Sequence, residues 1–229
     1  METFFQILRI THIVAGTIAF LVAPAVLIMK KGGRTHRLWG KVFFYAMTVV
    51  CLMAVIMAPM HKNLFLLMVG IFSFYLAFTG YRAVFRKNSY KGGKTAAIDW
   101  FFAILNTLFS FGLFILGTTQ TDTPFGIIAM VFGGIGTWLG GKNIYQFIRP
   151  SGNKHSWLFY HMNGMITAYI AAVSAFSAVN MGFLPTVLQW LWPTLIGIPL
   201  LSIWMRKYKM KLSGGTKISE LVEYRENNT

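Results

Sequence analysis

Six side chains in this 229-residue chain have chemistry to offer inside a mostly apolar sequence: His12, His36, Arg37, Asp99, His161 and Asn163. An ionisable or strongly polar group is costly in a hydrocarbon environment, so each is a candidate for binding a ligand, an ion or a proton. His12 falls in the apolar run ILRITHIVAGTIAFLVAPA, with Gly16, Ala19 and Ala23 following at four, seven and eleven residues. That spacing gives the histidine a small-residue face that a neighbouring helix or a flat ligand can approach closely. His161 opens LFYHMNGMITAYIAAVSAFSAVN, where Asn163, Thr167, Ser174 and Ser177 stack on one helical face. His161 itself points about 200° away from that polar stripe.

Metal chemistry is legible in two forms. For a zinc-dependent membrane hydrolase, His36, His155, His161 and Asp99 are the histidine–carboxylate set on one side of the chain. No H-x-x-x-H pair accompanies them. For a haem-binding redox protein, histidines should face each other at similar depth on different helices. His12 is the deep haem candidate, about 6 Å outward of the middle of its helix at 1.5 Å per residue. His36 and His161 lie towards the opposite, inner end. The cofactor question thus stays open between haem, zinc and none.

These residues must be held by helices that cross a membrane. The chain is 55% hydrophobic and 12% charged, about half the charge of a soluble domain. Seven apolar segments, at about 4–29, 42–60, 64–85, 98–118, 125–147, 157–179 and 185–205, each approach the roughly 20 residues a bilayer requires. The expected fold is an all-α integral membrane bundle of seven transmembrane helices over residues 1–205. A basic-to-polar tail, 206–229, follows it.

The net charge of +15 is not spread over a polar surface. Nineteen of the 21 Lys and Arg residues fall in alternate connections and the tail, leaving Arg9 and Lys62 on the other side. By the positive-inside rule the N-terminus lies outside and the C-terminus in the cytoplasm. Lys30 and Lys31 follow the first apolar run rather than precede it, so that run is expected to stay as a helix instead of being cleaved. Trp39, Trp100, Trp157 and Trp204 mark the inner boundaries, and the loop lysines and arginines meet anionic headgroups. Nucleic acid is not an expected partner. The single cysteine, Cys51, excludes an intramolecular disulfide.

Three loops echo one another: GGRTHRLW, GGKTAAIDW and SGNKHSW, each leading into a helix. Gly136 and Gly140 form a GxxxG spacing in the fifth segment, which predicts close helix packing within the bundle or in a homo-oligomer. Pro193 and Pro199 are expected to interrupt the seventh helix.

His12 with Gly16, the stretch THRLWGKVFFYAM and the stretch HMNGMITAYIAAVSAF together resemble an uncharacterised bacterial family of multi-pass membrane proteins, a domain of unknown function. Its motif positions here would be His12, Gly16, His36, Arg37, Gly40, His161 and Ala168. The resemblance implies a location in the bacterial cytoplasmic membrane and brings no established activity. The expectation is a sensory or transport-like protein that binds a small ligand, ion or proton within the bundle. His12 would sit deep, with His36, Arg37, Asp99, His161 and Asn163 towards the cytoplasmic mouth.

Overall fold

A computed structural model of the chain describes residues 2–60, 62–88 and 93–223. The described elements are helices: α1 (Glu2–Ile28), α2 (Arg34–Met60), α3 (Leu64–Ala83), α4 (Ala97–Thr118), α5 (Pro124–Ile148), α6 (Ser156–Asn180), α7 (Thr186–Ser213) and the single-turn α8 (Ile218–Leu221). The first seven are long and apolar enough to cross a membrane. His61 lies outside the described residues.

Local chemistry sets several helix starts. Asn63 caps α3 by accepting a hydrogen bond from the Leu66 amide at 3.0 Å. Thr123 caps α5 in the same way, with Pro124 at the first helical position, where its missing N–H costs nothing. Two helices run further than their apolar cores. Helix α2 starts at Arg34, not near residue 42, and α7 continues to Ser213, not 205. Hydropathy registers only the segment that needs hydrocarbon; the backbone goes on bonding helically where side chains turn polar. The α7 helix also runs unbroken through Pro193 and Pro199. Each proline removes one backbone bond, and packing in the bundle keeps the remaining turns in place.

Neighbouring helices pair as α1 with α2, α4 with α5, α3 with α6, α6 with α7 and α2 with α3. Phe43, Phe72, Leu113, Ile128, Phe132 and Trp190 fill the centre. Outward-facing positions are apolar too: Leu21, Leu108 and Leu195 are each about two-thirds exposed. Water would not tolerate such a surface over the length of seven helices, whereas lipid would.

Glycine sets the two tightest crossings. A Cβ on Gly133, Gly136 or Gly140 of α5 would run into Phe114, Ser110 or Thr107 of α4, so the GxxxG face is taken up inside the chain. A Cβ on Gly164 of α6 would strike Gly80 of α3, which locks those two backbones together.

Basic side chains from several helix ends meet at one end of the bundle. There Arg82 pairs with Asp99, Arg86 lies over Phe147, His36 lies beside His161 and Lys31 lies over Trp204. These contacts tie together one end of each of α1 to α7.

Candidate functional site

At this basic end the helices leave a cavity of about 520 Å³. Its walls come from the α1–α2 turn, the first turns of α2, the last turn of α3, the start of α6, the far half of α7 and the tail. The body is apolar: Val26, Leu158, Met162, Met165, Ile166 and Trp204 face it. Lys31, Arg37, Lys41 and Lys87 stand around it, with one acid, Glu223.

Two histidines line the cavity, and each is held by a backbone carbonyl. The α1 helix ends at Ile28, so its last carbonyls lack intrahelical partners. His36 places Nδ1 3.3 Å from one of them, Val26 O. Lys31 Nζ donates to the same region, at Leu27 O and at Val26 O and Met29 O, both 3.4 Å. A lysine here neutralises the negative end of the helix dipole. On α6, His161 places Nδ1 2.9 Å from Gly80 O across the α3–α6 crossing. A carbonyl can only accept, so each histidine carries its proton on Nδ1 and leaves Nε2 as the acceptor. The ring centroids are 6.2 Å apart with planes at 70°.

Around the rim, Arg37 Nη1 donates to Gly32 O at 2.8 Å. Lys31 sits 5.3 Å from the Trp204 ring centroid and Lys87 4.8 Å from that of Trp157. Burial pushes Lys31 below the ordinary lysine value, and burial followed by the nearby Arg37 charge does the same to Lys87.

The tail closes one side. Ile218 and Val222 are buried against Trp157, Leu158 and Met162. The Glu223 amide donates to Lys31 O at 2.8 Å, and its carboxylate meets Lys30 at 3.2 Å. Gly32 makes this approach possible. Its φ is +76°, and a Cβ there would lie 2.8 Å from Val222 and collide with Glu223 O. Gly32→Ala is therefore expected to release the tail. Limited proteolysis should cut the variant after Ser213 several times faster than the wild type; equal rates would show that the tail does not depend on this contact.

The candidates from the sequence separate into three places. His36, Arg37 and His161 line the cavity. Asp99 does not; it is 1% exposed and takes a two-pronged bond from Arg82, Nε to Oδ1 at 2.9 Å and Nη2 to Oδ2 at 2.8 Å. Arg86 adds a contact at 3.7 Å. Burial lowers the Arg86 guanidinium from its usual value, and the Asp99 charge works against that shift. Asp99 thus anchors α4 to the end of α3. Asn163 lines a separate void of about 30 Å³ with Arg86, Tyr75 and Tyr160.

His12 lies elsewhere on the α1–α2 seam, its Nδ1 3.0 Å from Val50 O. His155 precedes α6 and does not line the cavity, and burial, then the Lys154 charge, lowers its pKa. The proposed histidine–carboxylate set therefore divides. Among the described residues no group of three His, Cys, Asp or Glu side chains could hold a metal ion together.

Lys31, Lys87, Trp157 and Trp204 were not singled out as site residues. Lysine and tryptophan at helix ends are also what a membrane boundary selects, so composition could not separate the two roles.

Fold and surface define a multi-pass helical architecture with an apolar cavity that opens among basic residues. Comparisons of the chain with family models, with curated proteins and with solved structures find no match.

Proposed function

We propose that this is a bacterial cytoplasmic-membrane protein, N-terminus outside, that binds an anionic amphiphile in the basic-end cavity from the cytoplasmic side. The orientation rests on the distribution of Lys and Arg, and the bacterial assignment on the family resemblance. The observation that carries the binding reading is an apolar cavity of about 520 Å³ ringed by Lys31, Arg37, Lys41 and Lys87. A ligand pocket commonly joins an apolar body to a few convergent polar groups. Here those groups are cationic, so they select a negative head on an apolar body. The half-buried Lys31 has no carboxylate partner of its own among the described residues; an anion in the cavity would supply one.

Such a protein would work by binding, as a sensor or a carrier, and the tail across the cavity would respond to occupancy. The test uses the full chain in uncharged nanodiscs, with dodecanoate and dodecanol compared by calorimetry. Dodecanoate should bind at least about tenfold more tightly, which corresponds to about 1.4 kcal/mol. The Lys31→Ala and Arg37→Ala variants should lose most of that preference. Equal affinity for acid and alcohol would sink the reading.

A further inference from the structure

We infer that the ligand is an iron porphyrin, held between His36 and His161 as its two axial ligands. This rests on the anionic-amphiphile reading and names the amphiphile.

Three observations converge. The first is the spacing of the rings. A metal–imidazole bond is about 2.0–2.1 Å. In a five-membered ring with bonds of about 1.33 Å, a nitrogen lies about 1.1 Å from the centroid. Two imidazoles on opposite sides of one metal therefore have centroids about 6.2–6.4 Å apart. His36 and His161 have theirs at 6.2 Å.

The second is tautomer. Val26 O and Gly80 O hold both Nδ1 atoms, so each Nε2 keeps its lone pair. Neither Nε2 has a hydrogen-bond partner among the described residues. An Nδ1 proton held by a backbone carbonyl is the usual outer support of a metal-bound histidine; it fixes the ring and raises the basicity of the ligating nitrogen.

The third is charge. Lys31, Arg37, Lys41 and Lys87 would repel a bare divalent cation, and the cavity offers only Glu223 against them. Glu223 is itself engaged by Lys30. A metal entering this site has to bring its own negative charge and its own equatorial ligands. An iron porphyrin does both: the ring supplies four nitrogens and two negative charges, and two propionates meet the cationic rim. Its flat apolar body matches the walls formed by Met162, Met165, Ile166 and Trp204. Two axial histidines suffice for such a ligand, whereas a free ion would need a third or fourth side chain.

The experiment titrates hemin, and in parallel metal-free protoporphyrin, into the purified full chain in uncharged nanodiscs. His36→Ala, His161→Ala and His12→Ala variants are run beside the wild type. The expected result is a six-coordinate, low-spin ferric spectrum, with sharp visible bands on reduction. It should be lost in His36→Ala and His161→Ala and kept in His12→Ala. Hemin affinity in the two cavity variants should fall by more than about tenfold, since removing an outer partner of a metal ligand alone costs that much. Metal-free protoporphyrin, read by tryptophan quenching, should bind all four proteins alike, which also shows that the variants remain folded.

Added imidazole should restore the low-spin spectrum in His36→Ala and His161→Ala. A five-coordinate spectrum, or one unchanged by both cavity variants, overturns the axial pair. If dodecanoate and metal-free protoporphyrin still bind in that case, the cavity reading stands without it. If neither binds, both fail.

Discussion

Asp99→Asn is expected to destabilise the protein by about 3–5 kcal/mol, the cost of breaking a buried ion pair by removing one charge. Asp99 is 1% exposed and faces two guanidinium groups, from Arg82 at 2.8 Å and Arg86 at 3.7 Å. Asparagine keeps the shape and one acceptor. It leaves two like charges beside each other with no anion between them, at a depth where water can reach neither freely. Arg86 Nη1 already lacks a hydrogen bond in the native arrangement, so the cluster has no spare partner to lend.

Unfolding followed in detergent by near-UV circular dichroism would measure the loss. The companion variant carries Arg82→Met, Arg86→Met and Asp99→Leu together. It should recover more than half of the lost stability, because replacing all the charges avoids the unpaired ones. If Asp99→Asn costs less than about 1 kcal/mol, the cluster is hydrated and does not hold α3 to α4.

The second large effect is expected at Gly164. A Cβ there would meet Leu76 O at 2.8 Å and overlap the Gly80 backbone, so the new atom faces main chain rather than a side chain that could swing aside. Gly164→Val should therefore cost about 3 kcal/mol, the upper end for overpacking, and force α3 and α6 apart. Because His161 reaches Gly80 O across this crossing, its ring should lose its support as well. The variant should show both a lower melting temperature and weaker hemin binding. Gly141→Val, where a Cβ would meet nothing within 4 Å, serves as the control. Equal behaviour of the two variants would show that the crossing is not a close one.

Much of the architecture was legible in the residues themselves. Hydrocarbon demands about 20 apolar residues per crossing, and that demand is local, so the seven segments can be counted without knowing what they touch. Helix ends were less visible. Residues 34–41 read as a loop because they carry Arg34, Arg37 and Lys41, yet they form the first turns of α2. This is why Arg37, Gly40 and His36 have fixed directions and can line a cavity.

Among the histidines, the sequence favoured His12 because depth is readable from position along an apolar run. It could not show what lies opposite. His36 and His161 are 125 positions apart in the chain and belong to helices that do not follow one another. Only the α3–α6 crossing at Gly80 and Gly164, together with the turn at Gly32, brings their rings within 6.2 Å and folds the tail over them.

The residues alone thus determined the class of molecule, because transfer into lipid depends on composition and run length. They also grouped most of the Lys and Arg residues into alternate connections and the tail. Tertiary structure decided which polar groups are partners: Asp99 with Arg82 and Arg86, His36 with His161, Lys31 with the end of α1. Pairing depends on helix rotation and crossing angle. Those are set by side-chain volumes on facing helices, which no single segment specifies by itself.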